Sequence, residues 1–548
     1  MAKKINENNA LSLHSSLTFN NTIVNFSAPA DWNLVMSSNG VLNLNAGSKC
    51  NFTVSGIYAS PNATINVDAS SLGFEGTGYT AMMAEKYGNL NLKNGASLSI
   101  KHASNGKGGA NGITSFKINA TGSTLDVSEN ENQGLVRCWL TLDNSTATVS
   151  GNETGMTCYN KTDALTVKNG SKLIMENNKN AGIFMWGGKI DVQDGNTLVV
   201  SGTGYGASAS DYSPYCGAVV SYYYNNTYAG SITFADGATV NIINNPFGGL
   251  RNYATTYLGS GTSIENNGYS GNDIKTPYGG GIWNCGQLTL SPNAKVCNNH
   301  ALHAGDDIYN TTGTTDEKVK GEYAGTYTGS ISFNAVGNNW QLDDCNHAIT
   351  GWFDDSEASG DSDSSNNAGR WNAHGENKHV VEYSGFGKEA VSDQLSLKAA
   401  HGLASVKYQW VSTDNPTDVL APTGDSDLEV GAGYTAKAQD PSEGWTFDGW
   451  YTDESCTIKW NDGDALAGSM TLFGKWTQDP EAEPSPAPET SQPGNQPTAT
   501  KAAESQQAAT PEHLAKTGDA LLPFGFAVAG IALIAGAIAL ISRKLLKR

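Results

Sequence analysis

Leu165-Thr166-Val167-Lys168-Asn169-Gly170-Ser171-Lys172-Leu173-Ile174-Met175 is the stretch that decides how this chain folds. Apolar and polar residues alternate on both sides of Asn169-Gly170. Each arm therefore reads as a short strand with one apolar face, and Asn-Gly supplies a turn that needs left-handed backbone. The pattern recurs upstream in Leu90-Asn91-Leu92-Lys93-Asn94-Gly95-Ala96-Ser97-Leu98-Ser99-Ile100. It recurs downstream in Ile190-Asp191-Val192-Gln193-Asp194-Gly195-Asn196-Thr197-Leu198-Val199-Val200 and in Ile232-Thr233-Phe234-Ala235-Asp236-Gly237-Ala238-Thr239-Val240-Asn241-Ile242.

The turn residues Gly95, Gly122, Asn144, Gly170, Gly195, Gly237, Gly261 and Asn293 are spaced by 27, 22, 26, 25, 42, 24 and 32 residues. A period of this length marks units that cannot bury an apolar face alone and must stack. The strands are short and no helical stretch separates them, so residues 1–340 are expected to coil into a right-handed parallel β-helix, with the longer steps thrown out as loops. A second register agrees with this. Asn177-Asn178, Asn244-Asn245, Asn266-Asn267 and Asn298-Asn299 each follow the second strand of their copy, where Asn tolerates left-handed backbone and can bond its equivalent one coil away. Gly279-Gly280-Gly281-Ile282-Trp283-Asn284 and Gly305-Asp306-Asp307-Ile308-Tyr309-Asn310 resemble the Gly-rich repeats of pectin-lyase-like surface proteins.

Such coils include polysaccharide lyases and galacturonan hydrolases, so the chemistry has to be sought directly. A lyase needs a basic residue near an acidic site, and upstream of the C-terminal tail the arginines are Arg137, Arg251 and Arg370. Hydrolases use paired carboxylates. Asp306-Asp307, Asp343-Asp344 and Asp354-Asp355 are available, but the Gly-His-Gly and Arg-Ile-Lys signatures are absent, the nearest matches being Ala373-His374-Gly375 and Ala400-His401-Gly402. No catalytic residue is assigned and a binding protein is expected. A surface polysaccharide lyase or glycoside hydrolase is the competing class, and a purely structural stalk the third. Tyr222, Tyr223, Tyr224 and Tyr228 are the candidate glycan contacts, although strand alternation turns half of such rings inward. His300, His303, Asp306 and Asp307 read as a solvated corner rather than a metal site, and Asp361-Ser362-Asp363 and Asn461-Asp462-Gly463-Asp464 as ordinary loops. No metal and no cofactor are expected.

Past residue 340 the repeat fades. Residues 341–378, with Trp352 and Trp371, read as a connector that caps the open coil, whose terminal strand edges would otherwise stay unpaired. Residues 379–476 read as a second domain. Its segment Gly444-Trp445-Thr446-Phe447-Asp448-Gly449-Trp450-Tyr451-Thr452-Asp453, continued by Thr471-Leu472-Phe473-Gly474-Lys475-Trp476, resembles the Listeria–Bacteroides repeat of bacterial surface proteins. The resemblance implies a small β-grasp-like module with no catalytic residues. Residues 477–513, rich in Pro, Ala, Gln, Ser and Thr, lack the means to build a core and read as a disordered, extended wall-spanning linker.

The C-terminus, 514–548, carries the clearest functional instruction. The uncharged segment 520–541 is long enough for a membrane-spanning helix, and Arg543, Lys544, Lys547 and Arg548 in the tail 542–548 resist translocation. The expected topology is N-out, C-in. Leu514-Ala515-Lys516-Thr517-Gly518 just upstream, followed by span and basic tail, resembles a Gram-positive cell-wall sorting signal, with Ala515 where Pro is usual. The resemblance implies cleavage between Thr517 and Gly518 by a sortase and covalent attachment of Thr517 to peptidoglycan. The chain's 53 Asp and Glu against 33 Lys and Arg disfavour nucleic acid as a partner, and the expected role is an adhesin-like display of the β-helix to an unidentified host, environmental or glycan ligand. Met1-Ala2-Lys3-Lys4 is not followed by an apolar run, so an export leader is expected upstream of Met1. The eight cysteines show no Cys-x-x-Cys spacing and are expected mostly as small buried apolar side chains.

Overall fold

The computed structural model describes residues 11–27, 32–159, 161–162, 164–205, 217–222, 230–270, 273–274, 276–291, 293–314, 326–332, 337–343, 345–355, 380–381, 395–411 and 415–480. The linker, the segment 520–541, the basic tail and the pentapeptide 514–518 lie outside them, as do Tyr223, Tyr224, Tyr228, Cys216 and Trp371. The described chain is mainly β and contains no helix. Its dominant feature is a parallel β-solenoid of about 10 turns.

A coil uses three strands rather than the two legible in the repeat. One coil runs Thr154–Cys158, Ala164–Lys168, Lys172–Glu176, and the next runs Ala181–Trp186, Lys189–Val192, Thr197–Ser201. Pairing between coils is parallel and in register, so like residues stack. Leu140, Leu165, Ile190 and Ile232 form one inward column. Leu98, Leu125, Ala147, Leu173, Leu198 and Val240 form a second. Leu135, Met156, Ile183, Val219, Leu250, Ile282 and Ile308 form the third, on the strand that the repeat did not reveal. The alternation of Leu165, Val167, Leu173 and Met175 sends all four into a continuous dry core. Asn169 and Gly170 make the turn with φ of 57° and 77°, which Asn and Gly adopt at little cost.

The Asn pairs behave as their position implies. The first member takes left-handed backbone, with φ of 53° at Asn177, 57° at Asn244, 56° at Asn266 and 52° at Asn298. The second member is fully buried. Asn245 donates its Nδ2 to Asn267 Oδ1 (2.8 Å), Asn267 to Asn299 Oδ1 (2.9 Å), and Asn299 to Asp307 Oδ1 (2.9 Å). Asn130, Asn152 and Asn178 continue the column through earlier coils. These amides satisfy backbone groups that the corner would leave without partners in an apolar interior.

The open end is closed by the strand Leu395–Trp410. Its first half pairs antiparallel with the last coil, Ile308 opposite Leu397, and with Gly351–Asp354, Phe353 opposite Lys398. Its second half runs parallel to Met470–Gln478, which pairs antiparallel with Trp445–Tyr451. Around this second half Val406, Tyr408, Tyr434, Trp450 and Leu472 build a separate apolar core, so the aromatic segment 444–476 supplies core residues. Cys297 and Cys345 form a disulfide, an exception to the expected buried thiols, whereas Cys50, Cys138, Cys158 and Cys285 pack in the solenoid core. Burial pushes the Cys50 and Cys285 thiols up to about 12, which removes them as nucleophiles at neutral pH.

Candidate functional site

The strands Ser71–Glu75, Ser97–Lys101, Thr124–Ser128 and Thr146–Ser150 belong to one 11-stranded parallel sheet and end at the same corner of successive coils. Beyond that corner the chain projects polar side chains in a row. His102 bridges two coils, with Nδ1 2.6 Å from Glu75 Oε1 and Nε2 2.6 Å from Glu129 Oε2. Hydrogen bonds to Glu75 and then Glu129 raise its affinity for a proton above that of an ordinary imidazole. All three side chains are more than half exposed, so the pairing orders the surface and adds little stability.

Beside this row lies an acidic cleft of about 500 Å³ lined by Gly108, Glu129, Glu131, Glu153, Lys179 and Tyr205. Its residues are placed by the internal Asn column. Glu131, Glu153 and Lys179 each follow a buried ladder residue, Asn130, Asn152 and Asn178, and so emerge one above another on the outside. The backbone N–H groups of Gly108 and Asn105 hold the Glu131 carboxyl below the usual carboxylate range, Asn105 N donating at 2.8 Å. Asn105 Oδ1 in turn accepts from Lys107 N at 2.8 Å, which fixes the loop forming the rim. Glu153 accepts from Asn180 Nδ2 at 3.1 Å, and Tyr205 stands 56% exposed at the lip. Ionised carboxylates that accept hydrogen bonds, a lysine donor and an open phenol ring suit a hydroxyl-rich or cationic ligand and repel an anionic one.

The residues singled out from sequence fare differently. Tyr222 is 5% exposed and meets Tyr253 edge-on at 4.9 Å, so it is a core ring and not a platform for a ligand. The other three tyrosines fall outside the described residues. Asp306 and Asp307 are also not at a solvated corner, since both are completely buried where the strand Leu395–Trp410 closes the coil. Lys398 Nζ sits 3.7 Å from Asp306 Oδ2 and 3.8 Å from Asp307 Oδ2, itself fully buried. Asp307 accepts from the backbone N–H of Asn299 and Ala399 at 3.0 and 2.7 Å, yet burial still drives its carboxyl up to about 6. His300 lies 4.0 Å from Asp306. These acids terminate the Asn column and bind the cap. The sequence offers one signal for the cleft that its reading missed: Glu131 and Glu153 stand directly after the buried Asn130 and Asn152. No protein-family model, no curated protein and no solved structure matches the chain.

Proposed function

We propose that the chain is a cell-wall-anchored bacterial surface protein of adhesin type, whose solenoid presents the acidic cleft to a host or environmental glycan. The observation that carries the reading is the C-terminal order: Leu514-Ala515-Lys516-Thr517-Gly518, an uncharged span and a basic stop. A sortase cleaves after Thr517 and joins it to peptidoglycan, while residues 477–513 carry the folded part outward through the wall as an extended spacer. The Cys297–Cys345 disulfide supports an oxidising, extracellular location. The module ending near Trp476 serves as a small β-grasp-like repeat between coil and spacer. The cleft supports a polyol ligand, since its carboxylates accept hydroxyl protons and Tyr205 offers a flat apolar face.

Grouped Glu129, Glu131 and Glu153 also favour a second reading, a glycoside hydrolase built on the same coil. One experiment separates the two. The chain is applied to a glycan array and incubated in parallel with pectin and host glycans while reducing ends and unsaturated products are followed. Binding lost in Glu131→Gln and Tyr205→Ala, without turnover, agrees with the proposal. Turnover lost with the same substitutions replaces it with the hydrolase.

A further inference from the structure

At the capped end of the coil three side chains from two segments converge. Asp343 follows the strand Asn338–Leu342, His347 lies four residues on, and His401 belongs to the long strand Leu395–Trp410. Gln341 pairs with His401 and Leu342 with Ala400, while Asp343 N donates to Ala399 O at 3.1 Å. The disulfide ties Cys345, which lies between Asp343 and His347 in the sequence, to Cys297 of the coil. Backbone pairing and a covalent tie therefore fix all three positions before any ligand arrives, which is what a binding site needs from its support.

The donor atoms meet at one point. His347 Nδ1 is 2.8 Å from Asp343 Oδ2, and His401 Nδ1 is also 2.8 Å from that oxygen. The two imidazoles lie against each other with centroids 4.0 Å apart and planes 30° from parallel. One candidate donor from each of the three residues lies within 4.8 Å of the others. Two donors 2.8 Å apart subtend about 85–90° at an ion bound at about 2.0–2.1 Å, the angle of neighbouring ligands in an octahedral or five-coordinate shell.

A second observation is independent of that convergence. Asp343 Oδ1 is buried with no hydrogen-bond partner, and the ring nitrogen Nδ1 of His401 has no polar neighbour of its own beyond its 2.8 Å approach to Asp343 Oδ2. The two side chains are only 8% and 0% exposed. Buried polar atoms are rarely left in this state, because a lost hydrogen bond with water is not replaced. A cation supplies the missing partner for both. The Glu265, Cys297 and Cys345 group near by differs, because its two sulfurs are joined to each other and do not serve as thiolate ligands.

We propose that Asp343, His347 and His401 form a three-ligand site for a first-row divalent cation of the zinc type, which clamps Asp343 and His347 to the strand that caps the solenoid. Two imidazoles and a carboxylate suit such an ion better than calcium or magnesium, which prefer oxygen alone. His347 is 38% exposed, so the remaining coordination positions face solvent and take water. The site joins the segment after Leu342 to the capping strand, three residues along from Lys398, and its occupation stiffens that junction.

The test uses the full chain under non-reducing conditions, stripped with chelator and titrated with Zn²⁺ by calorimetry. One equivalent is expected to bind in the micromolar range or tighter, with a rise in melting temperature. His347→Ala, whose side chain is partly exposed, is expected to weaken binding by on the order of tenfold or more and to abolish the rise. Loading the unsubstituted chain with Co²⁺ reads the ligands without any variant, and nitrogen and oxygen ligation without sulfur charge-transfer bands is expected. Absence of stoichiometric uptake, binding unchanged in His347→Ala, or a thiolate spectrum would each overturn the proposal.

Discussion

Replacing Asn267 by Ala tests whether the internal amide column holds the coils together. Asn267 is fully buried, and its Oδ1 accepts from both the backbone N–H of Asn245 (3.1 Å) and its Nδ2 (2.8 Å). Its own Nδ2 donates to Ile242 O (2.9 Å) and Asn299 Oδ1 (2.9 Å). Alanine leaves the Asn245 N–H without a partner where water does not reach, at about 1–3 kcal/mol, and removes three further hydrogen bonds at about 1 kcal/mol each. Some of this is recovered, because Asn245 Nδ2 keeps Val200 O (3.1 Å) and Asn299 Oδ1 keeps the Asn267 N–H (3.0 Å). The expected loss is about 3–5 kcal/mol. Guanidinium unfolding of the full chain, followed through the solenoid transition, measures it. Asn119→Ala is the control, since that exposed residue makes a comparable bond to Asn91 Oδ1 (3.1 Å) on the outer face and is expected to cost no more than about 0.5 kcal/mol. A loss in Asn267→Ala no larger than in Asn119→Ala would refute the reasoning.

The Cys297–Cys345 bridge closes a separation of 48 residues, and in the chain-entropy description its reduction is expected to cost about 4 kcal/mol, read as a drop in unfolding midpoint on adding reductant. No drop would place the crosslink outside the cooperative unit. His102 is expected to titrate above the ordinary 6.5 by NMR, and Glu75→Gln with Glu129→Gln to bring it back. Because the folded value is raised, whatever the contact adds to stability is present below pH 6.5 and fades as pH rises through the folded value. An unshifted midpoint in the parent chain would remove the bridge.

Legibility in the sequence followed burial on one side. Where one face of a strand is wet, as in Ala164–Lys168 and Lys172–Glu176, alternation discloses the strand and its inward residues. The third strand of each coil escaped because Thr154–Cys158 reads as buried throughout, and most of Ala181–Trp186 does too, so no polar outer face marks it. The Asn pairs were readable in full, the first through its backbone and the second through its amide. An aromatic run does not say which ring turns inward, and the fold buries Tyr222. The burial of Asp306 and Asp307 is not legible locally, because the lysine that accompanies them inside, Lys398, is distant in sequence and comes from the capping strand. The Asp343, His347 and His401 cluster was invisible for the same reason, since strand pairing alone brings His401 to the other two.

Outward display through attachment at Thr517 is tested most directly by mass spectrometry of protein released from producing cells by muramidase. A C-terminal peptide ending at Thr517 and carrying peptidoglycan fragments is expected, with residues 518–548 missing and the attachment lost in cells lacking sortase. Recovery of the chain from the cytosol with Arg548 intact would contradict it.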